Sequence, residues 1–143
     1  TMTAQFVSAG PSLPWVEDRT VDAQGKSVSV RLYDPAPERS KPVALFLHGG
    51  GHMAGSVAVY DPICRRIAEA SGWLIVSVEY RLTPEHPYPQ GLADCLHVAR
   101  HVWPLLETEH RLFTRRLALI GDSGGGALAA TISASPMAMT AGR

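Results

Sequence analysis

The chain has 143 residues, 45% of them hydrophobic and 18% charged, which suits one globular domain and excludes a disordered or fibrous chain. Thirteen basic and thirteen acidic side chains give a formal net charge of +0, so nothing points to nucleic acid or an anionic membrane as a partner. No apolar run approaches the length of a membrane span.

Residues 1–14 are expected to be flexible, with Pro11 and Pro14 opposing regular structure. They show neither the basic nor the apolar region of a signal peptide, so the expected compartment is the cytoplasm. The stretches 15–21 and 27–33 flank the turn-forming "DAQGKS". In the second, Val28, Val30 and Leu32 alternate with Ser29, Arg31 and Tyr33, which predicts a half-buried antiparallel hairpin at a sheet edge. Residues 43–47, 73–78 and 117–120 are continuous apolar runs, the pattern of parallel strands covered on both faces.

Helical patterns lie between these runs. Asp61 is the expected N-cap and Pro62 the first helical residue, with Ile63, Ile67 and Ala70 on one face and Gly72 as the stop. A second helix is predicted from about Gln90, burying Leu92, Leu96, Ala99 and Trp103, with Pro104 expected to kink or interrupt it. A third is predicted from the glycines after Ser123 to about Ala134. The alternation implies an α/β fold with a mostly parallel sheet and right-handed crossovers.

Two glycine motifs carry the chemistry. Gly121-Asp122-Ser123-Gly124-Gly125 occurs in chymotrypsin-like β-barrels as well as in strand–turn–helix elbows. Here a buried strand precedes the serine and a helix former follows it, which selects the nucleophile elbow. A strained turn pushes the serine hydroxyl outward, Gly121 and Gly125 pass too close for side chains, and the helix N-terminus points at the reacting oxygen. His48-Gly49-Gly50-Gly51 follows the strand 43–47 directly. Bare backbone N–H groups there can hold an oxyanion, each worth about 2.7–4 kcal/mol in the transition state.

With these motifs, residues 16–134 resemble the hormone-sensitive-lipase-like branch of the α/β-hydrolase carboxylesterases. The likeness also rests on "VRLYDP" and "VSVEYRLTPEHPYPQGLADC". It implies the α/β-hydrolase fold, hydrolysis of carboxylic esters with short or medium acyl chains through an acyl-enzyme, and no cofactor or metal. It makes Ser123 the nucleophile, Gly50 and Gly51 the donors from the glycine run, and Gly124 the donor after the nucleophile, where relatives more often have Ala or Ser. His52 stands at the pocket wall in a position often aromatic, and Glu79 replaces a more usual Asp. His48 is expected to shape the glycine run rather than act as a base. Gly49, Gly121 and Gly125 support the motifs, and Asp122 is not the triad acid.

In this fold the acid and the histidine follow the serine. Residues 124–143 contain no Asp, Glu or His, and all six histidines precede Ser123. The expectation is therefore the N-terminal part of such a hydrolase. Residues 1–14 would be the remnant of a cap and 15–134 the hydrolase part, without the strands after the elbow helix, while 135–143 form an atypical tail. The 143 residues alone are expected to be inactive. The unpaired edge of strand 117–120 would then invite a second chain or copy. The alternative is a non-catalytic α/β fragment or binding module that pairs with another chain through that edge.

His97 and His101 are spaced for a metal but lack a third ligand, and are expected to be solvated. Arg81 and Glu85 suggest a loop ion pair. Cys64 and Cys95 fit neither a disulfide framework nor a metal motif. They are expected as reduced thiols on helices covering opposite faces of the sheet.

Overall fold

The computed structural model describes residues 10–48, 57–80 and 88–121, with 88–91 described by backbone alone. The elements are β1 (Trp15–Ala23), β2 (Lys26–Asp34), β3 (Lys41–Leu47), α1 (Asp61–Ser71), β4 (Leu74–Val78), α2 (Tyr88–Thr108) and β5 (Phe113–Gly121). They form a five-stranded sheet in the order β1-β2-β4-β3-β5. β3, β4 and β5 run parallel, and β2 joins β4 antiparallel. The predicted hairpin and the mostly parallel sheet both match. The predicted third helix, like the Arg81–Glu85 pair, lies outside the described residues.

Local chemistry accounts for the elements. The hairpin turns through Gln24 at φ 53° and Gly25 at φ 77°, the positive-φ pair that a two-residue turn between right-twisted strands requires. Burial alternates over Val28, Val30 and Leu32, whereas β4 is buried at every position. Successive residues point to opposite faces. Val30, Leu45 and Val76 therefore pack under α2 with Cys95, Val98 and Val102, while Tyr33, Phe46 and Ile75 pack under α1 with Cys64 and Ala68. The two cysteines are free, buried and on opposite faces, as expected. Burial pushes the Cys64 thiol up to about 12, against smaller opposing effects of Ser77 and Tyr33, so it stays protonated at neutral pH.

Three details depart from the sequence reading. Tyr60, not Asp61, is the N-cap of α1. Asp61 lies in the first turn and accepts from Tyr33 Oη at 2.7 Å and Arg65 Nε at 2.8 Å, with Arg31 Nη1 at 3.2 Å. Burial alone would raise its pKa, but the bonds from Arg65 and Tyr33 outweigh that and hold it below the usual value. Next, α1 buries the expected face only in part: Ile67 packs against the core, but Ile63 is 41% exposed and Ala70 is exposed, while Cys64 and Ala68 face the sheet. Lastly, of the kink or interruption expected at Pro104, the interruption is absent: α2 runs on to Thr108. Pro104 and Arg100 are both exposed, so water can reach the carbonyl that the proline leaves without its helical donor.

Gly72 ends α1 at φ 75°, its N–H bonded to Ala68 O at 2.8 Å, as predicted. A Cβ there would meet Arg39 Nη2 at 2.6 Å. Arg39 is exposed and can swing away, but the left-handed backbone remains. Gly72→Ala is therefore expected to cost about 1–2 kcal/mol, read as a lowered urea midpoint with unchanged slope. An unchanged midpoint would contradict this view of the cap.

At the amino end of β3, Lys41 and Asp34 are both fully buried, with Nζ and Oδ1 3.1 Å apart. Lys41 Nζ also donates to Arg39 O at 2.9 Å and Leu112 O at 2.7 Å. Asp34 accepts in addition from Arg111 Nη1 at 3.1 Å and the Ala36 N–H at 3.0 Å. Arg111 lies over the Trp15 ring, 3.9 Å from its centroid. This cluster joins β1, β2, β3 and the α2–β5 turn at the end of the sheet opposite the glycine motifs.

Candidate active site

Successive parallel strands are added on opposite sides of β3, first β4 and then β5. Such a switch point opens a crevice beyond the carboxyl ends of the strands, where α/β sheets hold their ligands. Leu47, the last residue of β3, is in register with Val78 of β4 and with Gly121 of β5. Three strands therefore end level, spaced by about 4.8 Å. Their next residues are His48, Glu79 and Asp122.

His48 is fully buried. Its ring stacks on Tyr80, with centroids 4.5 Å apart and planes at 19°, and lies 6.0 Å from the Tyr60 ring. The Tyr80 hydroxyl donates to the His48 carbonyl oxygen. Burial raises the pKa of that phenol, so it stays a proton-bearing donor. The neighbouring Glu79 is tied down twice: its N–H donates to Ser29 O at 2.9 Å, and its Oε1 accepts from the Val57 N–H at 2.9 Å. A cleft of about 560 Å³, lined in part by Ser29, Arg31, Val57 and Glu79, borders this corner on the hairpin side.

Gly121 ends β5, and His48 follows β3. Gly49, Gly50, Gly51, His52, Asp122, Ser123, Gly124 and Gly125 lie outside the described residues. Tyr80 was passed over in the sequence reading, although it stands in the family-like stretch beginning "VSVEY". Nothing local marks a tyrosine as the partner of a carbonyl 32 positions earlier.

Among the described residues no group of three His, Cys, Asp or Glu side chains could hold a metal ion. His97 is not solvated as expected. It is 7% exposed, its Nε2 lies 2.9 Å from Val21 O, and its ring is 4.9 Å from that of His101. The inward side of α2 places it against β1. Burial, then His97 and Arg100, lower the pKa of His101. Among the described residues no helix is long and apolar enough to cross a membrane.

Comparison with known proteins places this geometry. The profile of the alpha/beta hydrolase fold matches residues 44–140. Esterase LipI of Mycobacterium tuberculosis is 37% identical over 125 residues, covering 82% of this chain and 38% of its own length. Neutral cholesterol ester hydrolase 1 of Bos taurus is 31% identical over 135 residues, covering 89% of this chain and 33% of its own. An esterase of Pyrobaculum calidifontis superposes with a TM-score of 0.78 at 36% identity, covering 90% of this chain and 41% of that one. The chain thus spans about a third of the length of these two curated relatives.

Proposed function

The chain belongs to the α/β-hydrolase fold family, in its hormone-sensitive-lipase-like branch, and from that premise we propose that it forms part of a serine carboxylesterase. The supporting observation is the register of β3 and β5. Leu47 pairs with Gly121, so the chain enters Gly49-Gly50-Gly51 and Asp122-Ser123-Gly124 from neighbouring strand ends. A nucleophile and the donors for its oxyanion must lie within a few ångströms of one carbonyl, and aligned exits meet that demand.

In this reading Ser123 Oγ attacks the ester carbonyl carbon while a base takes its proton. The N–H groups of Gly50, Gly51 and Gly124 hold the tetrahedral oxyanion. Collapse breaks the bond to the alcohol oxygen, which leaves with the proton held by the base, and an acyl-serine remains. Water, deprotonated by the same base, then releases the acid and restores the hydroxyl. No cofactor enters the balance. In this fold the base and its orienting carboxylate follow the serine, and residues 124–143 hold no Asp, Glu or His, so neither role is assigned to a residue of these 143. The substrates are small-molecule esters, with His52 at the pocket wall.

A second reading is a binding module that pairs with another chain along β5. It is favoured by one observation: among the described residues, β5 has β3 as its only neighbour in the sheet. A fluorophosphonate probe separates the two. The esterase reading expects one label per chain in the intact native protein, mapped by mass spectrometry to the peptide holding Ser123. No label, or a label elsewhere, favours the module.

A further inference from the structure

The two residues after β4 act on the same segment from both ends. Tyr80 donates its hydroxyl to the carbonyl of His48, and Glu79 accepts the amide of Val57. His48 and Val57 are the residues on either side of 49–56, which includes all three glycines of the first motif. Glu79 and Tyr80 are chain neighbours, so their Cα atoms lie about 3.8 Å apart. The two residues flanking 49–56 are therefore each bonded to one of the two residues that follow β4, where the Glu79 N–H also bonds Ser29 O at 2.9 Å.

We propose that Glu79 and Tyr80 are positioning residues for the oxyanion donors, clamping the exit and entry of the glycine segment to the end of β4. The inference rests on the esterase reading, since without an oxyanion the clamp has nothing to position. The chemistry at each end differs. Tyr80 is buried beside His48 and braces the ring as well as the carbonyl. Glu79 is exposed, yet its bond to Val57 is charge-assisted and fixes where the segment rejoins the fold. Glycines have the widest backbone freedom, so a run of them points its N–H groups reproducibly only if its ends are held.

Glu79→Ala removes the acceptor. Tyr80→Phe removes only the hydroxyl and keeps the stacked ring. Each is expected to lower kcat of the intact native protein on a nitrophenyl ester by about 10–100-fold, the scale of an ångström-sized misplacement, with KM little changed. Glu79→Gln keeps a carbonyl acceptor and should recover most of the rate.

The discriminating readout is the matching thionoester. Its sulfur is a weak hydrogen-bond acceptor, so an oxyanion site helps it far less. Loss through the oxyanion donors must be several-fold smaller on the thionoester than on the oxygen ester, whereas general loosening would lower both equally. Equal losses on the two esters, or unchanged kcat in both Glu79→Ala and Tyr80→Phe, would overturn the proposal. A melting temperature within about 4 °C of the parent shows that a variant is folded. If Glu79→Ala fails this check, Tyr80→Phe and Glu79→Gln carry the test. The esterase reading itself fails separately, if Ser123→Ala keeps activity.

Discussion

Ser123→Ala in the intact native protein is expected to lower kcat/KM for a short-chain nitrophenyl ester by roughly 10⁴–10⁶-fold. The scale follows from removing a nucleophile while leaving the oxyanion donors and the binding surface in place. Oγ forms the bond that defines the intermediate, and a methyl group cannot. What survives is attack by water near a polarised carbonyl. The melting temperature should stay close to the parent's, because the change removes one oxygen. Dissociation constants for a product acid should also hold, which separates lost chemistry from lost binding. Retention of more than about 1% of the parent rate, far outside the expected fall, would remove Ser123 from the mechanism. The elbow would then be a turn without a nucleophile.

The second large effect is on stability, at the other end of the sheet. Lys41→Met is expected to destabilise the fold by about 3–5 kcal/mol, the cost of removing one member of a buried ion pair. An ammonium has three donors, and here Asp34 Oδ1, Arg39 O and Leu112 O take all of them. Methionine fills similar space but leaves the two carbonyls without that donor. It also leaves Asp34, fully buried, with the Ala36 N–H and Arg111 alone. The control is Arg115→Met. Its partner Glu107 is 56% exposed and Arg115 itself 50% exposed, so that pair is screened by water and worth about 0–1 kcal/mol. Urea unfolding of both variants reads the contrast as a large fall in midpoint for Lys41 and a small one for Arg115. Similar midpoints would mean that the Lys41–Asp34 cluster is not a buried anchor of the sheet.

The sequence was most legible where the physics is local. Largely continuous apolar runs marked β3 and β4, because a strand covered on both faces has few polar positions, Ser77 being one in β4. Alternation marked β2 as far as Leu32. There it stopped being informative, since Tyr33 and Asp34 are also buried, one under α1 and the other in the ion cluster. The helix errors have the same origin. Ile63 is the more hydrophobic choice for an inner face, but Cys64 and Ala68 are the residues buried against the sheet. Lys41 reads as a surface residue by type, and its place among partners from β2 and the α2–β5 turn could not be guessed from its neighbours.

The sequence by itself determined the order of elements, the hairpin, the cap at Gly72 and the two glycine motifs, with the family they resemble. Each depends on residues close together along the chain. The tertiary structure alone decided that Leu47 and Gly121 stand level, that Tyr80 and Glu79 bond to His48 and Val57, and that Asp34, Lys41 and Arg111 meet away from water. Asp34 and Arg111 are 77 positions apart, and Tyr80 and His48 are 32 apart. Hydrophobic periodicity records which face of an element is buried. Which distant polar group waits on the other side is set by strand order and register, and these exist only once the sheet has formed.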